Sequence, residues 1–153
     1  MEKFTLKLGD ILQLGYEING LIVPETNERI YEGFLNQNLS IILKYELTDV
    51  GEMLQKEKKK IDGLRDELIK KYGEVYGENL AVKMYLEETD EEGNINKQIN
   101  PKYIEFDNEY NQLLNQEKEI EFPEVTLKDL KDAGKTKDVY KVLFKLIKKE
   151  GTN

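Results

Sequence analysis

Glu88, Asp90 and Glu92 occupy alternate positions leading to Gly93, the arrangement in which a calcium loop presents its first oxygen ligands and then turns. Ile95 stands where such loops carry an aliphatic residue, but position twelve, which must supply a bidentate glutamate, is Ile99. No helical pattern leads into the segment, so it reads as an exposed hairpin turn. Gly134-Lys135-Thr136 repeats the end of a phosphate-binding loop, yet the first glycine of that motif falls at Asp129. The preceding segment is not a buried apolar strand, and this too reads as a loop between helices. Paired carboxylates could serve glycoside hydrolysis or magnesium-dependent phosphoryl chemistry. With 31 acidic residues in 153, pairs at any chosen spacing arise by chance, and no Asp-x-Asp framework singles out two of them.

The residue types that most often carry chemistry are missing. The chain has no histidine, no cysteine and no tryptophan, and its arginines are Arg29 and Arg65. That removes the usual general base, the thiol nucleophile, the usual zinc ligands and most bidentate phosphate clamps. The expectation is a non-enzymatic protein without metal or cofactor, its catalytic and metal residues being none. The net charge of −8 disfavours direct binding to nucleic-acid phosphates. Acid and base alternate along the chain, as on solvated helix faces. Met1-Glu2-Lys3-Phe4 lacks the apolar run of a secretory signal, and no stretch approaches membrane-spanning length. A cytoplasmic protein is therefore expected. The 21 lysines against 2 arginines fit an AT-rich coding sequence, as in a low-GC bacterium or its phage.

The elements that must position these residues follow from periodicity. Phe4, Leu6 and Leu8 alternate with polar residues and predict a strand. Asp10 with Gln13 has the spacing of a capping box, and Ile11, Leu12, Leu14 and Ile18 stripe the helix expected from there to Gly20. Leu21-Ile22-Val23-Pro24 reads as an extended connector. Helical spacing then runs from Asn27 to Gly73. Leu47-Thr48-Asp49 suggests an interruption, because Asp49 and Glu52 repeat the capping-box pattern. Leu54, Ile61 and Leu68 recur every seven residues with Leu64 between them, too few heptads for a coiled coil. A helical hairpin or one kinked helix, packed on itself or on a second copy, is preferred. Val82–Leu86 and Asn94–Asn96 predict a β-hairpin turning at Gly93. Asn100-Pro101 starts a helix striped by Tyr103, Phe106, Tyr110, Leu113 and Leu114. Glu119–Val125 alternates again and can pair with the N-terminal strand. Thr126 and Asp129 form a further capping box, and Val139–Lys149 predicts a final amphipathic helix.

The succession Glu67-Leu68-Ile69-Lys70-Lys71-Tyr72-Gly73, then Asp90-Glu91-Glu92-Gly93-Asn94-Ile95, then Phe106, Glu109 and Leu113-Leu114 leading to Glu117-Lys118-Glu119-Ile120 is similar to small uncharacterised proteins encoded by phages and prophages of Gram-positive bacteria. The resemblance covers roughly residues 60 to 122 and is architectural, so it brings no catalytic residue. The expected fold is α+β: a long helical hairpin or kinked helix with a β-hairpin and a small antiparallel sheet. A single domain over 1–153 is expected, with 27–73 as an extended helical region and 80–149 as a mixed α/β part. The expected role is that of a phage-type binding or assembly protein, homo-oligomeric and with a protein partner. Its contacts are placed on Leu54, Ile61, Leu64, Leu68 and Tyr72. The alternative is a phage-encoded inhibitor of host defence that binds an immune effector or sequesters a nucleotide signal. The latter needs lysines or one of the two arginines to converge with a stacking tyrosine.

Overall fold

The computed structural model describes residues 1–148. It is an α+β fold with one long helix and several two-stranded antiparallel sheets. The chain forms two compact units: Met1–Lys59 with the chain from Glu117 onward, and Lys60–Gln116.

In the first unit, β1 (Glu2–Lys7) pairs antiparallel with β8 (Glu117–Phe122), Phe4 lying opposite Ile120. Helix α1 (Leu8–Asn19) follows β1 directly. It does not wait for Asp10, because Lys7, still in extended backbone, already sits at the cap position. Leu21–Val23 (β2) and Glu28–Tyr31 (β3) form a hairpin where the sequence pattern suggested a connector and the start of a helix. The turn between them contains Pro24 and a left-handed Asn27, φ 54°, a conformation asparagine tolerates better than most residues. The long helix α2 therefore begins only at Ile41 and runs to Tyr72. The Ser40 hydroxyl accepts the Leu43 N–H at its start.

Thr48 and Asp49 do not interrupt α2. The Thr48 hydroxyl donates back to the Lys44 carbonyl at 2.7 Å, so the helix absorbs it. A capping box works only where the preceding residue leaves helical geometry, which Asp49 does not. Thr126 does, and its box with Asp129 is complete at the start of α4 (Leu127–Asp132). The final helix shrinks to α5 (Leu143–Leu146), since Glu17 takes up the N–H groups of Val142 and Leu143, and Lys148 already bridges to Thr126 as a strand does. Lys149, the expected end of that helix, lies outside the described residues. One core unites this unit. Ile11, Leu14 and Ile18 of α1 meet Leu43, Leu47, Val50 and Leu54 of α2, with Phe34, Ile120, Phe122 and Leu143. The spacing 4, 3, 4 along α2 is one helix face.

The second unit holds the end of α2, the hairpin β4 (Glu74–Tyr76) and β5 (Asn79–Ala81), the ribbon β6 (Tyr85–Thr89) and β7 (Ile95–Ile99), and α3 (Pro101–Leu114). Gly73 and Gly77 end the helix and turn the β4–β5 hairpin. Asn100 caps α3 as its sequence suggests, accepting the Lys102 N–H at 3.1 Å. Its amide also donates to the Lys83 carbonyl at 2.9 Å. No helix among the described residues is long and apolar enough to cross a membrane.

Candidate binding surface

The second unit is unlike the first in where it puts its apolar side chains. The first buries sixteen hydrophobic residues in one cluster. In the second, the buried hydrophobic residues among those described are Ile61 and Phe106. Val75 is 70% exposed, Ile95 62% and Ile99 57%, and Leu80, Met84, Tyr85, Leu86 and Ile104 are also exposed. The first unit also exposes apolar residues, Ile41, Ile42 and Tyr45 among them, so what sets the second apart is how few of its apolar residues are buried.

Two concavities lie within this unit. A groove of about 450 Å³ runs between α2 and α3, lined by Leu64, Leu68 and Leu113 and by the ion pair of Lys71 and Glu109, 3.2 Å apart. Tyr72 joins that pair. Glu109 as hydrogen-bond acceptor raises the Tyr72 hydroxyl above its ordinary value, while Tyr72 and then Lys71 hold the Glu109 carboxyl down. The second concavity, about 460 Å³, lies over Tyr103, Phe106 and Tyr110. Their 3, 4 spacing puts all three on one face of α3. The Arg65 guanidinium carbon lies 6.0 Å from the Phe106 ring centre and 5.8 Å from that of Tyr110, within cation–π range. Asp107 adds a carboxylate to the same wall.

The five residues expected at an interface divide. Leu54 belongs to the core of the first unit and Ile61 is buried, so both are used by their own chain. Leu64 and Leu68 line the α2–α3 groove, and Tyr72, half-buried, is not among the residues lining it but hydrogen-bonds Glu109, which is. No family model matches the chain, and neither a curated protein nor a solved structure matches it.

The calcium-like segment is a tight hairpin turn. The Asp90 carboxylate accepts the N–H groups of Asn94 at 2.7 Å and, with less effect, Glu92 at 3.0 Å, which holds it below the usual carboxylate range. Gly134-Lys135-Thr136 follows α4 in a loop, where the Thr136 hydroxyl bonds Glu32. Among the described residues no group of three or more Asp, Glu, His or Cys is placed to hold a metal ion. The exposed apolar residues of the β-ribbons were missed by sequence reading.

Proposed function

We propose that this is a non-enzymatic binding or assembly protein of phage type, oligomeric and working through protein–protein contacts made by its second unit. The observation that supports this reading is the imbalance within residues 60–116, where Ile61 and Phe106 are buried while Val75, Tyr85, Ile95, Ile99 and Ile104 remain in water. Covering such residues releases free energy in proportion to the apolar area removed from water, and a partner surface can do so. The phage setting is supported by the resemblance over residues 60 to 122. The test is capture of partners from the natural host by the wild-type chain and by Val75→Lys and Ile104→Lys variants of matched stability. The reading expects specific partners that both variants lose.

A second reading, inhibition of host defence by sequestering a nucleotide signal, is supported by Arg65 and the tyrosines at the α3 hollow. Stacking on Tyr103 or Tyr110 with a charge contact from Arg65 is the combination such a ligand needs. Calorimetry with a panel of cyclic and linear nucleotides tests it. Saturable binding lost in Arg65→Ala would favour this reading, and no binding would remove it.

A further inference from the structure

The β6–β7 ribbon is a sheet with two open edges. Tyr85, Glu87 and Thr89 pair with Ile99, Lys97 and Ile95, and every residue of both strands is exposed. Hydrogen bonds at the ribbon's ends fix which backbone groups face inward. The Asp90 N–H donates to the Asn94 carbonyl and the Asn100 N–H to the Met84 carbonyl, at 2.9 and 2.8 Å. Antiparallel ladders alternate, so even-numbered residues turn their N–H and C=O groups to the partner strand. The odd-numbered residues turn theirs to the outer edges: Tyr85, Glu87 and Thr89 along β6, and Ile95, Lys97 and Ile99 along β7. A two-stranded ribbon is marginal in water, and open edges are templates for a further strand.

Building on the reading of this unit as a protein-binding surface, we infer that the occupant of these edges is a second copy of the same ribbon, joined head to tail, β6 of one copy against β7 of the next. Charge selects this arrangement. In the register the hairpin already uses, Glu87 of one copy faces Lys97 of the next, Tyr85 faces Ile99 and Thr89 faces Ile95. All are outward-facing residues, so the hydrogen-bond parity matches. Glu87 and Lys97 already pair within the hairpin at 3.7 Å, and stacking would place each Glu87 between two lysines. On the other face Glu88 meets Asn96 and not another acid. The symmetric alternatives in full overlap set Glu87 against Glu87 or Lys97 against Lys97, which cross-strand pairing disfavours. A head-to-tail contact has a free edge at each end, so it propagates into a ring or an open fibre and does not stop at a dimer.

The test uses the full chain. Native mass measurement from micromolar to near-millimolar concentration should show species of three or more copies. Two variants separate the possible interfaces. Glu87→Pro removes an outward N–H from the β6 edge and Lys97→Pro removes one from the β7 edge, leaving the inner ladder intact. Each variant alone should be monomeric, and an equimolar mixture should form a one-to-one dimer through the two remaining edges. In the wild-type chain, amide exchange at Tyr85, Glu87, Thr89, Ile95, Lys97 and Ile99 should slow by about tenfold or more as concentration rises, while the even-numbered amides stay protected throughout. This reading needs no folded variant. A wild-type chain that remains monomeric, exchange at the odd-numbered amides that ignores concentration, or a single proline variant that still self-associates would overturn the proposal. A monomer that still captures a partner lost in Ile104→Lys would overturn the ribbon contact alone and leave the binding function standing.

Discussion

Replacing Glu17 with alanine tests how the C-terminal segment is fastened to the first unit. Glu17 is fully buried on α1, and its carboxylate accepts the Val142 N–H at 3.1 and 3.2 Å and the Leu143 N–H at 3.0 Å. Alanine leaves two buried donors without an acceptor, at about 1–3 kcal/mol each. The buried charge removed in exchange offsets part of this, giving a net loss of about 2–4 kcal/mol. For a chain of this length that corresponds to a melting temperature lower by roughly 5–15 °C. Glu17→Gln keeps an acceptor oxygen in the same place and should lose only about 1 kcal/mol. The pH dependence has a definite sign. Burial raises the folded carboxyl above its ordinary 4.5, outweighing the hydrogen bonds from Leu143 and Val142 that lower it. The folded state thus binds the proton more tightly than the unfolded chain. The stability associated with this group is complete below pH 4.5 and is lost as pH rises through the raised folded value. Urea unfolding of wild type and Glu17→Gln across that range should show the wild type losing ground as pH increases. An alanine variant within about 0.5 kcal/mol of wild type, or a difference curve that is flat or of opposite slope, refutes the reasoning.

Gly33 has φ +91°, and a Cβ there would lie 2.5 Å from the Gly20 nitrogen and 2.7 Å from the Asn19 carbonyl carbon, so Gly33→Ala should cost more than about 4 kcal/mol and prevent cooperative thermal unfolding. Gly93, φ +84°, has nothing within 4 Å of such a Cβ, and Gly93→Ala should cost only the backbone strain of about 1–2 kcal/mol in the same assay. Asn100→Ala removes both the α3 cap and the bond to Lys83, and should lose about 1–2 kcal/mol, read by amide exchange as faster opening of residues 102–104. Burial, with Asp138 beside it, pushes the Tyr140 hydroxyl up to about 12, so an ultraviolet alkaline titration should show one tyrosine fewer ionising in that range in Tyr140→Phe than in wild type.

Local signals with an unambiguous physical cause were legible in the sequence. The Thr126–Asp129 box, the Asn100-Pro101 helix start and the Gly93 turn each need only a few adjacent residues, and each stands where it was expected. The alternation of Phe4 and Leu6 with Ile120 and Phe122 likewise foretold the β1–β8 pair. Competition between signals was not legible. Asp49 and Glu52 have cap spacing, but helix propagation through a buried face at Leu47, Val50 and Leu54 wins. Val139–Lys149 has helical spacing, but Glu17, 125 residues earlier in the chain, decides where α5 starts. The stripe Leu54, Ile61, Leu64, Leu68 was visible as apolar, whereas what covers each residue depends on tertiary structure. The aromatic face Tyr103, Phe106, Tyr110 was also visible, but its meeting with Arg65 was not.

On the proposed function, the exposed apolar residues of the second unit are covered by another protein. The most direct measurement is hydrogen–deuterium exchange of the chain in complex with partners captured from its natural host, against the chain alone. Protection should appear over β4 to α3, residues 74–114, and the Val75→Lys chain should capture none of those partners. Protection confined to the first unit, or capture undiminished by Val75→Lys, would contradict it.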